Sequence, residues 1–416
     1  MNNRQADILI IGAGPAGLAA AIAAKEAGVD NLLVLEREKQ PGGILRQCIH
    51  NGFGLHRFKQ ELTGPEYAQR DIDRARELGI EILCGATVLD VAPDRTVTWV
   101  SPEAGLNQVR AGAVILAMGC RERPRGALCT PGTRCAGIYS AGTAQRFVNL
   151  EGVMPGRRVV ILGSGDIGLI MARRMTLQGA KVLACVELMP YSSGLNRNIV
   201  QCLQDYDIPL YLSHTVTDIR GRERLEGVTI SKVDENRKPI PGSEISFDCD
   251  TLLLSVGLIP ENELSLSAGV RMSPATSGAV VDETFETSVP GVFACGNVLH
   301  VHDLVDYVSA ESTRAGKAAA AYVRSSRKPS RAVRVEDGPG VRGTVPQIIH
   351  PDSGEDIELM FRPSGVFRNK AAVVTCGGKE ILRKKAMIYT PGEMAVLTLK
   401  APQLKDLTDT ITVSIE

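Results

Sequence analysis

Two Gly-x-Gly-x-x-Gly runs, each set between an apolar strand and a helical pattern, and a late change to short alternating strands together predict the fold class. It is α/β, with two Rossmann-like dinucleotide-binding domains and a small C-terminal all-β domain. A chain of 416 residues is too long for one ordinary core, and its length fits several domains.

The first run lies in "DILIIGAGPAGLAAAIAAKEAGVDNLLVLER". An apolar strand, Ile8 to Ile11, leads into Gly12, Gly14 and Gly17 at the head of an Ala-rich helix, and a second strand ends in Glu36. Gly12 permits the tight turn, Gly14 lets a pyrophosphate approach the backbone, and Gly17 lets helix and strand pack closely. Glu36 stands where an acid can accept both ribose hydroxyl hydrogens. The second run lies in "RRVVILGSGDIGLIMARRMTLQGAKVLACVEL", with Gly163, Gly165 and Gly168 and an acid, Glu187, at the end of the next strand. A carboxylate there accepts a free 2′-hydroxyl and repels a 2′-phosphate, so NAD is expected over NADP.

Composition narrows the function. Lys plus Arg number 47 and Asp plus Glu number 47, which gives no single-sign field to attract nucleic acid or an anionic membrane. "ILIIGAGPAGLAAAIAA" is broken by Gly-x-Gly-Pro and has no Ala-x-Ala exit, so it reads as a buried strand and helix, not a signal peptide. No membrane span is expected, and the expected compartment is the cytoplasm. The ten cysteines contain no Cys-x-x-Cys pair; they read as buried apolar thiols, and their scatter argues against iron–sulfur ligation. No metal site is expected.

From these residues the chain resembles the flavoproteins with two dinucleotide-binding domains, the group that contains thioredoxin reductase and glutathione reductase. The likeness runs from Asp7 to about Arg324 and includes "QPGG" (40–43), "VILAMG" (114–119), "LLLSVGLIPEN" (252–262) and "TSVPGVFACGNV" (287–298). It implies an FAD-binding domain of residues 1–120 and 253–330, an inserted NAD-binding domain of 121–252, and a separate β-rich 331–416. Around FAD it implies Pro15 and Ala16 beside the glycines, Arg37 after the ribose acid, Gly42, Gly43 and Arg46 at the flavin turn, and Val88, Ala117 and Gly119. The final motif adds Gly296 and Asn297, where the family has Gly-Asp; Asn keeps an acceptor for a ribityl hydroxyl and loses a charge. Ser309, near the start of a helix rich in small residues, is expected where a positive helix end favours reduced anionic flavin. Around NAD the resemblance implies Asp166 and Ile167.

The same family places a redox disulfide at one of two positions. In "GIYSAGTA" Ala141 and Ala144 occupy the cysteine positions of thioredoxin reductases. In "GGILRQCIHNGFG" only Cys48 is present where glutathione-reductase-like members have two cysteines. An improvised pair, Cys129 with Cys135, lies before the domain entry. A closer resemblance, carried by "GGILRQCIHNGFGLHRFKQELTGPEYA", "GCRERPRGA" and "CGNVLHVHDLVDYVS", is to the FAD subunits of opine oxidase and hydrogen cyanide synthase, and to the oxidoreductase that accompanies a glycerol-3-phosphate dehydrogenase or oxidase.

The candidates for proton or potential control at the flavin are Cys48, His50 and one of the pair His300 and His302, with His302 taken as the site residue. Each also has a plain reading, a packed thiol or a structural hydrogen bond, and Asp303 or Asp306 reads as a helix N-cap. Arg121–Arg125 is either a solvated linker or a neighbour of the NAD diphosphate. In the C-terminal part, "TVPQIIH", "DIELMFR", "AAVVTC", "AMIYT", "AVLTLKA" and "ITVSIE" alternate as a sandwich or barrel, with turns at "CGGKE" and "TPGE". Lys370, Lys379, Arg383, Lys384 and Lys385 are expected to divide between strand faces.

The resulting expectation is an FAD enzyme that exchanges hydride with NAD(H) and passes electrons to or from a partner dehydrogenase subunit, within an oligomer. The alternatives are a disulfide or small-molecule reductase working through Cys48, and a structural flavin-bearing subunit.

Overall fold

The computed structural model describes residues 3–325, 331–405, 407 and 409–416. The chain divides into two compact units, Met1–Cys120 with Pro260–Glu416, and Arg121–Ile259. The expected boundary at 252/253 falls inside the strand Thr251–Leu254, which pairs within the second unit, so that unit continues to Ile259.

The core of the first unit is a sheet ordered Glu81–Cys84, Leu32–Glu36, Asn3–Ile11, Gly105–Leu116, Thr96–Ser101, Thr87–Val91, with Val292–Ala294 also on Gly105–Leu116. The strands from Glu81 to the start of the fingerprint run parallel, and Ile10 sits opposite both Val34 and Ile115. Parallel strands covered on both sides bury every position, so Leu32–Leu35 are apolar and the one buried acid, Glu36 at the strand's end, is hydrogen-bonded. Two helices pack against each other behind the fingerprint: Pro15–Glu26 and Val305–Arg324. A Cβ added at Gly316 would lie 2.2 Å from the Ala20 carbonyl oxygen, so the small residues of the later helix answer to this close packing.

The second unit repeats the plan. Ile138–Ser140, Thr251–Leu254, Arg158–Leu162, Lys181–Glu187 and Leu210–Leu212 form a five-stranded parallel sheet, followed by an antiparallel sheet of His214–Gly221, Leu225–Lys232 and Ile245–Phe247.

The C-terminal part of the first unit forms two sheets over their own core, which includes Leu359, Phe361, Val374 and Val413. "TVPQIIH" splits into Val341–Val345 and Ile348–Ile349 around Pro346, and a further strand, Val333–Asp337, lies before it. Gly377 and Gly378 both have positive φ, as a two-residue hairpin turn requires, and "CGGKE" therefore runs directly into the strand Lys379–Tyr389. That strand is the edge of its sheet, and the consecutive Arg383, Lys384 and Lys385 alternate between its two faces with all three exposed. Among the described residues no helix is long and apolar enough to cross a membrane.

Candidate functional site

Four motifs of the first unit meet at the fingerprint turn. Gly12 has φ +101°, and a Cβ there would lie 2.6 Å from the Ala117 oxygen; one at Gly17 would lie 1.8 Å from the Gly12 oxygen. Gly42 donates its N–H to the Ala13 carbonyl (2.8 Å), and a Cβ on Gly43 would lie 2.8 Å from Gly14 Cα. Gly296, with φ +72°, lies so close to Ala16 that an added Cβ would come within 2.7 Å of the alanine methyl. Gly14 alone has room, with Gly43 Cα at 3.9 Å as the nearest atom to an added Cβ. It is the N-cap of Pro15–Glu26, which carries no side-chain cap and no acid in its first turn. An uncapped helix N-terminus over an open glycine cradle fits a dinucleotide pyrophosphate.

The acid at the second strand completes the cradle. Glu36 is buried, accepting hydrogen bonds from the Ala13 N–H (2.7 Å) and the Glu38 N–H (2.8 Å). A carboxylate has about four acceptor positions, which leaves two for a ribose. The Glu36 carbonyl accepts from Ala86 N–H (2.9 Å), which fixes the start of the strand holding Val88. Arg37 is exposed, and Arg46 lies against Gly42, its Cγ 3.0 Å from where a Cβ would stand. Gly119 has φ +75° and its carbonyl accepts from Glu261 N–H (3.0 Å).

The second unit carries the same turn. Gly163 has φ +99°, with Ser255 oxygen 1.9 Å from an added Cβ, and Gly168 would meet the Gly163 oxygen at 2.7 Å. Ser255 therefore stands to the second fingerprint as Ala117 stands to the first. Glu187 accepts from Ser164 N–H (3.0 Å), Ser164 hydroxyl (2.5 Å) and Met189 N–H (2.9 Å). Gly165 caps the helix Asp166–Leu177 with no side-chain bond. Asp166 is spent on the loop beyond, accepting from Leu195 N–H (2.8 Å) and Asn198 Nδ2 (2.7 Å), while Ile167 packs against that unit's core.

The thiol candidates are unfavourable nucleophiles. Cys48 is buried, its Sγ donates to the Ile44 carbonyl (3.3 Å), and burial pushes its pKa up to about 12. Such a thiol is not a thiolate at neutral pH. Ala141 and Ala144 are both fully buried in the helix Ala141–Arg146, whose Gly142 N–H is held by the Glu122 carboxylate (2.8 Å). Cys129 and Cys135 line one cavity of about 760 Å³ with Arg125, Arg134 and Tyr139. They are not joined: Cys129 Sγ contacts the Gly126 carbonyl (3.8 Å) and Cys135 Sγ accepts from the Thr133 hydroxyl (3.7 Å). His50, half-buried, holds the Asn51 carbonyl with Nδ1 at 2.9 Å and leans on Phe53.

The final motif is more densely bonded than the sequence suggested. Asn297 accepts from His302 N–H (3.0 Å) and its Nδ2 donates to Cys120 Sγ (3.6 Å), so the side chain is partly used by the protein itself. Neither aspartate caps the helix Val305–Arg324; its N-cap is Leu304. Asp306 instead accepts from Gly54 N–H (3.1 Å) and Arg57 N–H (2.8 Å), and Asp303 accepts from Met394 N–H (2.8 Å) and pairs with Arg362 (2.5 Å). Long-range partners outbid the local helix end. Ser309 is fully buried and accepts from Tyr67 hydroxyl (2.8 Å), which meets Arg57, itself held two-pronged by Asp71 at 2.7 Å.

One residue escaped the sequence reading. Glu311, fully buried, accepts from Gly296 N–H (2.7 Å) through one oxygen, while the other meets His300 Nε2 (2.6 Å) and His302 Nε2 (3.2 Å). Burial opposes its charge, but the two imidazoles outweigh burial and hold the carboxyl well below the usual range. Both ring nitrogens of His302 are buried without a hydrogen-bond partner, Nε2 standing 3.2 Å from the Glu311 carboxylate without the alignment of a hydrogen bond. The signal available was a carboxylate in a helix two turns after "HVH", too indirect to single out from a solvated face.

The profile of the family described as Pyridine nucleotide-disulphide oxidoreductase matches residues 6–322. One of the opine oxidase subunits of Agrobacterium tumefaciens is 26% identical over 70% of this chain and 61% of its own length. Hydrogen cyanide synthase subunit HcnB of Pseudomonas protegens is 25% identical over 70% of this chain and 65% of its own length. The chain thus spans less than two thirds of either relative. Thioredoxin reductase of T. acidophilum superposes with a TM-score of 0.65 at 25% identity, over 78% of this chain and 100% of that one.

Proposed function

The chain belongs to the pyridine nucleotide-disulphide oxidoreductase family, and on that premise we propose that it exchanges hydride between NAD(H) and FAD and passes electrons to or from a partner dehydrogenase subunit, without a thiol relay. The family binds FAD and NAD(P), and the protein is an FAD-dependent oxidoreductase. Bound flavin supplies the electron-accepting ring; this chain supplies the cradles and the polar groups around them.

The observation that carries the reading is the chemistry at the two positions where the resemblance expects thiols. Two buried alanines, Ala141 and Ala144, fill one, and a buried Cys48 with its pKa near 12 fills the other. A reductase of disulfides needs an accessible thiolate that can attack sulfur. Neither position offers one, so the electrons are assigned to another protein.

In the roles proposed, Gly12, Gly14, Gly17, Gly43 and Glu36 hold the FAD diphosphate and ribose, while Gly163, Gly165, Gly168 and Glu187 hold NAD. Glu187 favours NAD over NADP because a 2′-phosphate would meet a buried carboxylate. Gly296, Asn297, His302 and Ser309 serve the flavin end. The relatives named as subunits of opine oxidase and hydrogen cyanide synthase support a multi-subunit assembly, which we place in the cytoplasm. Glycerol-3-phosphate dehydrogenase is the partner we propose, from the resemblance of "GGILRQCIHNGFG" and "CGNVLHVHDLVDYVS".

Purification of the tagged full chain from its native host, with mass spectrometry of the eluate, tests this. Stoichiometric recovery of a second dehydrogenase, with glycerol-3-phosphate-dependent reduction of NAD by the complex, is the expected result. Recovery of the chain alone, turning over NADH with DTNB or thioredoxin, would overturn it.

A further inference from the structure

The cavity of about 760 Å³ lies wholly within the second unit, and the dinucleotide cradles leave it unused. Its wall is tied down at several points. Arg123 N–H donates to the Gly257 carbonyl (3.0 Å), Thr133 N–H to the Ile219 carbonyl (2.9 Å) and Ala136 N–H to the Glu223 carbonyl (3.0 Å), so the residues between these ties form a fixed wall. A Cβ on Gly132 would stand 2.4 Å from the Ile219 backbone, which holds the wall against the strand His214–Gly221. The cavity also meets the edge strand Ile138–Ser140 and Leu254, the last residue of the neighbouring strand. Ligands of α/β sheets bind outside the carboxyl ends of strands, and a volume of this size suits a small organic molecule better than a single ion.

The charge on this wall is unbalanced. Arg125 is half-buried, and of its five donors one makes a long bond, to the Gly132 carbonyl (3.4 Å). Arg134 lines the same cavity and is exposed. Among the described residues neither guanidinium pairs with a carboxylate, whereas Arg146 and Arg220 of the same unit meet Glu151 (3.5 Å) and Asp248 (3.3 Å). The one acid lining the cavity, Glu122, has both oxygens on the Gly142 N–H (2.9 and 2.8 Å). Tyr139 and Leu254 add apolar surface, the Tyr139 ring being held edge-on by Phe147.

We infer that this cavity binds an organic dianion, a phosphate monoester with a small apolar body, through Arg125 and Arg134. A phosphate monoester concentrates nearly two negative charges on one group at neutral pH, which two guanidiniums match and a monocarboxylate does not. Guanidinium forks also present paired donors to phosphate oxygens. The nicotinamide end of NAD is a poor occupant, because its oxidised ring is positive and would meet the two arginines. The NAD cradle is a separate place: Gly163, Gly165, Gly168 and Glu187 do not line the cavity, although Leu254 precedes the Ser255 that packs against Gly163. The site goes beyond the proposed hydride exchange and does not depend on it; it adds a second ligand to the nucleotide unit.

Cys129 is exposed and lines the cavity, so its alkylation by neutral iodoacetamide reports occupancy in the full-length, FAD-loaded protein. Mass spectrometry of the Cys129 peptide gives the rate. Phenyl phosphate at millimolar concentration should slow that alkylation to a plateau, leave Cys84 of the first unit unaffected, and do so equally with NADH present. Arg125→Gln and Arg134→Gln should each raise the half-protecting concentration roughly 10- to 150-fold while NADH affinity stays the same. The wild-type protection decides even if a variant is unstable. The inference is overturned if phenyl phosphate gives no protection, or if phenol protects equally well, since charge would then play no part. Inorganic phosphate that protects as well as phenyl phosphate would overturn it too, because the body would then contribute nothing. Protection abolished by NADH would make the cavity part of the NAD site and sink the inference while leaving hydride exchange intact.

Discussion

The two fingerprint units are built on the same bonds and differ in what those bonds leave over. In each, the first glycine has φ near +100°, the third packs under the first, and the acid of the next strand accepts an N–H from the turn and another from two residues beyond itself. Glu36 then has two acceptor positions left, whereas Glu187 has one, because the Ser164 hydroxyl takes a third. The first helix has no acid in its first turn, whereas the second opens on Asp166, whose charge opposes the helix dipole's attraction for phosphate. One cradle is therefore suited to a nucleotide that stays, and the other to one that exchanges.

The sharpest break of this comparison is at the third glycine. Gly17→Ala would place a methyl 1.8 Å from backbone oxygen, against 2.7 Å for Gly168→Ala. Overpacking costs about 1–3 kcal/mol and occasionally more, and the first variant belongs beyond that range. It should yield protein without flavin or no folded protein, while Gly168→Ala should remain yellow and lose nicotinamide affinity, as absorbance spectra and circular dichroism would report.

The acids come next. Glu36→Gln removes charge-assisted bonds worth about 1.5–3 kcal/mol, so FAD binding to refilled apoprotein should weaken roughly 10- to 150-fold. Glu187→Gln, with one acceptor position to lose, should raise the NADH dissociation constant by roughly 3- to 10-fold and narrow the preference over NADPH. Asp166→Asn should act in the other direction. Relieving about 0.3–1 kcal/mol of dipole opposition tightens NADH by roughly 2- to 5-fold, measurable by fluorescence titration, and no change would mean that the dipole difference is irrelevant.

The smallest effect concerns the attachment of the C-terminal strands. His350 bonds Glu283 (3.1 Å) beside Asp282. Burial opposes the charge on His350, yet Glu283 and Asp282 raise its pKa; burial and then Glu283 raise Asp282 to about 6. Stability from the raised histidine is present below its unfolded value and fades as pH rises through its folded one. The raised aspartate likewise favours the fold more as pH falls from about 6 toward its unfolded range. Wild type should therefore gain a few degrees in Tm over His350→Gln at pH 6, and less at pH 8.5; an equal gap at both would refute the linkage.

The legible parts of this molecule are those where chemistry is written at fixed local spacing. Glycine triplets, the acids Glu36 and Glu187, and the alternation of the C-terminal strands all follow from backbone constraints within about thirty residues. The parts not legible depend on distant partners. Asp303 and Asp306 looked like helix caps, and the structure spends them on Arg362, Met394, Gly54 and Arg57. Ser255 becomes the neighbour of Gly163 only once its strand lies beside the fingerprint strand. Glu311 had only an indirect mark, a carboxylate in the helix after "HVH", because what distinguishes it is burial.

The central claim is hydride exchange with NAD(H) that needs no thiol. Anaerobic stopped-flow mixing of FAD-loaded protein with NADH tests it most directly, with wild type and Cys48→Ala compared side by side. The account predicts that flavin absorbance near 450 nm is lost at the same rate, within about twofold, in both proteins, since a thiol near pKa 12 takes no part. Flavin that stays oxidised in wild type, or that is bleached only when Cys48 is present, would contradict it.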